Sequence, residues 1–95
     1  MPRVIIPGVM QELTGGQGEI EVEGRSLREV FAQLVLRYPA LKERLFDAQG
    51  SLHHYIALFV DGVEVRASQG LLAPVGEGAE IVIVPALSGG AGARA

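Results

Sequence analysis

Cysteine and tryptophan are both absent from this chain of 95 residues. The lack of cysteine excludes disulfides, thiolate metal sites and a thiol nucleophile, although it does not fix the compartment. No stretch approaches the roughly 18 to 20 apolar residues that cross a bilayer. The first residues, interrupted by Pro2 and Pro7, are too short an apolar run for a secretory signal. We therefore expect a cytoplasmic protein with no membrane partner.

Positive charge is also scarce. Eight Lys and Arg stand against 11 Asp and Glu, which gives a net charge of −3, and no basic run exists. Binding to a phosphate backbone needs a basic stripe, so nucleic acid is not an expected partner. A chain of this length has room for one hydrophobic core. With 48% apolar and 20% charged residues, the composition is typical of a folded globular domain.

The apolar pattern predicts one main helix with defined ends. Ser26 and Glu29 form a capping box at its start. Tyr38 ends it, because the residue before Pro39 avoids the α region. The residues that form the apolar stripe at helical spacing are Leu27, Val30, Phe31, Leu34 and Val35.

Five strands are predicted around this helix. Pro7 implies that the first strand lies at a sheet edge or carries a bulge. Residues 11–18 are predicted to be a turn-rich connection, and Asp61-Gly62 is a hairpin signal. The predicted strands are 3–9, 19–23, 54–60, 63–66 and 80–84, and a short second helix is predicted over 40–46.

This order of elements predicts an α+β fold. One helix packed on one mixed sheet of four to five strands buries its stripe against one face. The pattern fits a β-grasp, the ubiquitin-like fold. We expect residues 1–88 to form the β-grasp domain and residues 89–95 to form a flexible tail.

Two of the predicted strands are apolar on both sides. Ile56, Leu58 and Val60 share one face, whereas Tyr55, Ala57 and Phe59 share the other. In the last strand, likewise, Ile81 and Ile83 share one face and Val82 and Val84 share the other. Either one set is exposed as a partner surface, or the loop 67–78, with Leu71, Leu72 and Val75, folds over it. The predicted partner-binding residues are Tyr55, Phe59, Val82, Val84 and Leu87.

No motif in the sequence supports catalysis or a bound group. Neighbouring strand residues point to opposite faces, so His53 and His54 are poorly placed to share a metal ion. The glycines at 15, 16 and 18 lack the lysine and the helix of a phosphate loop. The glutamates at 19, 21 and 23 are typical of a solvated strand face. We therefore predict no catalytic residue, no metal and no bound cofactor.

The end of the chain carries the strongest signal. Gly89 and Gly90 follow the last strand and Pro85. An adenylating enzyme must draw a terminal carboxylate through a narrow channel to ATP, and two residues without Cβ make a thin, pliable thread. On a β-grasp pattern, such a glycine pair indicates an activated carboxyl end.

The chain resembles the MoaD/ThiS sulfur carriers, which are small ubiquitin-like proteins. The resemblance rests on LHHYIALFVDGVEVR at residues 52–66 and GEGAEIVIVPALSGG at residues 76–90. The N-terminal half matches mainly in pattern. The first of these segments is most similar to the branch of carriers that serves cysteine synthesis.

The resemblance implies a role for Gly90. An E1-like enzyme would adenylate its carboxylate with ATP, and sulfur would then replace AMP to give a thiocarboxylate. In the cysteine branch this group attacks an intermediate held on a pyridoxal-phosphate enzyme, and a JAMM-type metalloprotease releases the product. The carrier itself would catalyse nothing.

One feature departs from the family pattern, because five residues, 91–95, follow the glycine pair. Gly90 then has no free carboxylate, so we expect cleavage between Gly90 and Ala91. Alternatively, these residues are foreign to the protein, or it is no longer a carrier. Three other functions stay open: the small subunit of molybdopterin synthase, a ubiquitin-like modifier of proteins, and a structural interaction module.

Overall fold

The computed structural model describes residues 1–65 and 70–86. Its strands form one five-stranded mixed sheet in the order β2-β1-β5-β3-β4, with β1 parallel to β5 and the other neighbours antiparallel. The α+β fold and the β-grasp pattern are confirmed. The elements are β1 (Arg3–Ile5), β2 (Glu19–Glu21), α1 (Leu27–Arg37), α2 (Leu41–Leu45), β3 (Ile56–Val60), β4 (Val63–Glu64) and β5 (Glu80–Pro85), with 3-10 helices at Gly8–Thr14 and Gly70–Leu72.

The first strand differs from the prediction in both position and length. β1 is an inner strand, so the expected edge position is wrong. The strand ends at Ile5, before Pro7. Proline has no N–H to donate, and because Pro7 lies outside the strand, no hydrogen bond of the sheet is lost. Instead of strand and irregular turn, Gly8–Thr14 is a 3-10 helix. The hydroxyl of buried Thr14, near its end, lies 2.8 Å from Gln17 O and 3.1 Å from Gln11 O, and its single proton is donated between these two carbonyls.

The main helix matches its predicted stripe. Leu27, Val30, Phe31 and Leu34 are buried at 1% exposure or less. These four side chains form one buried cluster with side chains from a single face of the sheet, namely Ile56, Leu58, Ile81 and Ile83. The core therefore lies between α1 and a single face of the sheet.

The capping box at the start of α1 is formed. The Glu29 N–H donates to Ser26 Oγ at 3.2 Å, and the Glu29 carboxylate accepts from the Arg25 N–H at 2.9 Å. The Glu29 N–H, which the helix leaves without a partner, is satisfied in this way, and so is the N–H of Arg25, the residue before the N-cap.

Replacing Ser26 by alanine is expected to lower the free energy of unfolding by about 1 kcal/mol, because the Glu29 N–H loses its acceptor. Urea denaturation followed by circular dichroism measures this loss. Ser51→Ala, at an exposed loop serine, is the control and is expected to be neutral. Equal stability of the two variants would contradict a stabilising cap.

The region after β4 packs on the helix side of the molecule. The Leu27 N–H donates to Ala73 O at 3.0 Å, and the Val75 N–H donates to Arg25 O at 2.9 Å. Val75 is buried in the core. The described part of this connection, residues 70–78, therefore does not cover the opposite face of the sheet.

The structure reaches Ala86 at its C-terminal end, so the predicted tail of residues 89–95 lies outside the described residues. In the part that is described, no helix is long and apolar enough to span a membrane.

Candidate functional site

One row of side chains crosses all five strands on the face away from α1. Strand register aligns Ile5 with both Glu19 and Val82, and it aligns Phe59 with both Val82 and Glu64. Directly paired residues point to the same side of a sheet. The row therefore runs from a glutamate on one edge strand, over three apolar side chains, to a glutamate on the other.

This face is apolar at its centre and open to solvent. Val84, which pairs with Ala57, is 39% exposed, and Ala57, Phe59 and Val82 are half-buried. Together with half-buried Ile5 they form what we call the open face. An exposed apolar patch with a polar rim is typical of a partner surface. The open face thus holds three of the five predicted partner-binding residues, Phe59, Val82 and Val84.

Tyr55 is placed differently from these three. It is half-buried and packs against the core, and its ring lies parallel to that of His53 at 4.9 Å and edge-on to that of His54 at 5.5 Å. The two histidines thus frame an aromatic side chain. Among residues 1–65 and 70–86, no group of three or more His, Asp or Glu side chains is placed to hold a metal ion.

The rim of the open face is mainly acidic. Arg3 lies between Glu19 at 3.5 Å and Glu80 at 4.0 Å, and Glu21 is its register partner on β2. Glu64 stands at the opposite edge. Exposed ion pairs of this kind stabilise a fold by less than about 1 kcal/mol. Because four glutamates stand against the single Arg3, the rim keeps a net negative charge that suits a basic partner surface.

Two further carboxylates brace the start of β5. Asp61 accepts a hydrogen bond from the Glu80 N–H at 3.0 Å. Glu77 pairs with the Met1 ammonium, whose hydrogen bond and positive charge lower the pKa of that carboxyl. Asp61 therefore fixes the first residue of β5, whereas the exposed pair of Glu77 and Met1 lies three residues before the strand.

The chain leaves the sheet at the C-terminal end of β5, next to Tyr55. The Ala86 N–H donates to Tyr55 O at 2.7 Å, and Pro85 pairs with Ile56. At this end β5 pairs with β3 alone, because the pairing with β1 stops at Val82. The other predicted site residues, Leu87, Gly89, Gly90 and Ala91, lie outside the described part of the chain.

Sequence reasoning missed Ile5 as a member of the open face. Val4, Ile5 and Ile6 are all apolar, so the sequence shows neither which of them faces away from α1 nor where β1 lies in the sheet. Only the parallel pairing with β5 places Ile5 beside Val82.

Comparison with known proteins shows the family to which this chain belongs. A model of the ThiS family matches residues 4–90, which is almost all of the chain. The chain therefore belongs to the ThiS family. Sulfur carrier protein CysO of Mycobacterium tuberculosis is 35% identical over 89 residues, which cover 92% of this chain and 96% of that protein. This similarity supports a sulfur carrier role.

Two solved structures share the fold. In the Amycolatopsis orientalis BexX/CysO complex, one chain superimposes with a TM-score of 0.86 at 33% identity, covering 95% of this chain and 100% of that one. Small archaeal modifier protein 1 of Methanosarcina acetivorans superimposes with a TM-score of 0.79 at 28% identity, covering 94% of this chain and 95% of that one.

Proposed function

We propose that this protein carries sulfur as a thiocarboxylate on Gly90, after residues 91–95 have been removed. The observation that carries the proposal is that this chain of the ThiS family has an open apolar face that includes residues of β5, the strand before the glycine pair. A partner bound to that face would lie close to the strand from which the glycine pair extends.

The chemistry needs the carrier only as a substrate. The Gly90 carboxylate attacks the α-phosphorus of ATP on an E1-like enzyme, and pyrophosphate leaves. Sulfide sulfur then attacks the carbonyl of the acyl adenylate, and AMP leaves. The resulting thiocarboxylate is more acidic than a thiol and is therefore an anionic nucleophile at neutral pH.

The acceptor we propose belongs to the synthesis of cysteine or a related sulfur metabolite. The similarity to CysO supports this choice. The partners would be the E1-like enzyme, a sulfur-accepting synthase dependent on pyridoxal phosphate, and a JAMM-type metalloprotease that trims residues 91–95. ATP would be consumed on the activating enzyme, and the carrier would need no cofactor of its own.

Thiocarboxylate formation is the direct test. A chain that ends at Gly90 is incubated with the E1-like enzyme, ATP and sulfide, and its intact mass is measured. We expect the mass to increase by the exchange of one oxygen for sulfur, because the carboxylate is free. The full 95-residue chain, in which Gly90 is in a peptide bond, is the control and is expected to stay unchanged. An unchanged mass of the Gly90-ended chain would refute the proposal.

A protein-modifier role is the second candidate, since the chain is similar to a small archaeal modifier protein. It predicts that the Gly90 carboxyl becomes joined to lysine side chains of target proteins. Peptides that carry a diglycine remnant on lysine, found in digests of cells, would favour this alternative. Molybdopterin synthase would instead be favoured by a stable complex with a large catalytic subunit.

A further inference from the structure

A small pocket lies on the helix side of the molecule. The described residues that line it come from α1, from α2 and the loop after it, and from the 3-10 helix Gly70–Leu72. Its volume is about 190 Å³, and an apolar cavity of about 150 Å³ is enough to hold a benzene ring. None of these lining residues belongs to the open face or to its acidic rim. We call it the helix pocket, and its apolar walls are formed by Phe31, Ala32, Val35, Phe46 and Leu71.

The walls of the helix pocket favour an aromatic occupant. Phe31 is buried and Phe46 is half-buried, and their rings meet edge-on, with centroids 6.1 Å apart and planes at 80°. Aromatic rings attract one another in this geometry beyond the area that they bury. A third ring in the pocket would meet contacts of the same kind, whereas a polar side chain would lose its hydration there.

Two cations stand at the helix pocket, and no acidic side chain is in its described lining. Arg28 lies in the first turn of α1 and Lys42 lies in α2, and both are exposed. Neither forms an ion pair within residues 1–65 and 70–86. This holds also for Glu64, which borders with Arg28 a larger cavity of about 720 Å³. The helix pocket is therefore a positive site in a chain whose net charge is −3.

The acidic side chains close to these cations along the chain do not enter the pocket. The Glu29 carboxylate accepts from the Arg25 N–H in the capping box, and the Asp47 carboxylate accepts from N–H groups of its own loop. Glu43 follows Lys42, but consecutive helix residues do not face each other, and Glu43 is not a lining residue. An incoming carboxylate would therefore meet two cations in the pocket, and charge-assisted hydrogen bonds are the strong ones.

The size of the helix pocket indicates a protein partner and not a small metabolite. Sites that enclose small ligands usually measure about 300–1,000 Å³, so this pocket holds one ring and little else. A single buried ring contributes most as the anchor of a wider contact, as aromatic side chains do at protein interfaces. Leu72, which follows Leu71 and is 74% exposed, offers apolar surface for such a contact.

We propose that the helix pocket binds an aromatic side chain of a partner protein, and that a carboxylate next to that side chain pairs with Arg28 and Lys42. The partner segment thus carries an aromatic residue beside Asp or Glu. Because α1 and the open face lie on opposite sides of the sheet, this partner does not occupy the open face. The proposal goes beyond the proposed function and does not depend on Gly90.

A peptide titration followed by NMR tests the proposal on the full chain. The probe is the tripeptide Glu-Phe-Glu with both ends capped, and two matched peptides replace either both glutamates by glutamine or the phenylalanine by alanine. We expect amide shifts around the pocket, at Ala32, Val35, Phe46 and Leu71. Loss of the carboxylates is expected to weaken binding about threefold, and loss of the ring about tenfold.

Variants of the chain assign the two parts of the site. Arg28→Gln and Lys42→Gln are each expected to weaken binding of the acidic peptide about twofold and to leave the glutamine peptide unchanged. Arg25→Gln, which removes an equal charge outside the lining, is their control. Ala32→Leu is expected to fill the pocket and abolish binding of both phenylalanine peptides. Gln33→Leu, at the next exposed residue of the same helix, is expected to retain it.

Several outcomes would overturn the proposal. Equal affinity of the three peptides would do so, as would the absence of any shift at millimolar peptide. Shifts centred on Phe59 and Val82 would place the peptide on the open face instead. Binding of 3-phenylpropionate as tight as that of the tripeptide would indicate a site for small aromatic acids. None of these measurements involves sulfur, so their failure leaves thiocarboxylate formation to be observed separately.

Discussion

Replacing Phe59 by glutamate is expected to abolish activation of the carrier while the fold stays intact. Phe59 is half-buried at the centre of the open face, between Val82 and Glu64 in register. A carboxylate there remains hydrated in the free protein. In a complex it would be buried without a partner, which costs several kcal/mol. A cost of about 3 kcal/mol corresponds to a loss of roughly 100-fold in affinity.

Two measurements check this expectation. In chains that end at Gly90, the rate of adenylate formation with the E1-like enzyme reports partner binding at subsaturating carrier, and thermal unfolding reports the fold. Leu58→Glu is the matched control, because Leu58 is the preceding residue of the same strand but points into the core and is only 3% exposed. We expect Leu58→Glu to unfold the protein. Global unfolding of Phe59→Glu, or its activation at the parental rate, would contradict a docking role for the open face.

Replacing Gly24 by alanine is expected to lower the free energy of unfolding by about 3 kcal/mol. An added Cβ would lie 2.7 Å from the Val30 backbone N and 2.8 Å from Val30 Cγ2, and Gly24 has φ of +154°. The Val30 N–H is itself hydrogen-bonded to Ser26 O at 3.0 Å. Backbone at the first turn of α1 would therefore have to move, which strains both the capping box and the core.

Two glycine substitutions separate the causes of this loss. Gly50 has φ of +82° with open space around its Cβ position, so Gly50→Ala measures backbone strain alone, about 1 kcal/mol. Gly8 has open space and no positive φ, and Gly8→Ala is expected to be neutral within about 0.5 kcal/mol. Urea denaturation of the three variants gives the comparison. If Gly24→Ala were no less stable than Gly50→Ala, the close contact with Val30 would not be important.

Local signals in the sequence predict most of the elements. The stripe of α1 and its capping box depend on neighbours three and four residues apart, and both are formed. The hairpin at Asp61 and Gly62 depends on two residues with positive φ, which are found at 50° and 85°. β1 was placed wrongly because a proline after a strand and a proline within a strand give the same sequence pattern until the strand end is known.

The candidate site was predictable only in part. Two apolar faces on one strand indicate an exposed patch, and they lead to Phe59, Val82 and Val84 without a structure. Which face α1 covers depends on long-range packing, and so does the position of Ile5 beside Val82. The cavity of about 720 Å³ that Arg28, Leu71 and Ala86 help to line was not predicted at all, because these residues meet there only through the tertiary fold.

The central place of β5 in the sheet makes the open face depend on completion of the chain's synthesis. Residues 80–85 pair with β1, at the start of the chain, and with β3. The parallel pair of Arg3 and Glu80 joins residues that are 77 positions apart, and contacts of such long sequence separation slow folding. A chain still emerging from the ribosome lacks its middle strand and therefore has no continuous open face. Under the function proposed above, an activating enzyme that binds this face would not bind unfinished or truncated chains, and no separate proofreading step would be needed.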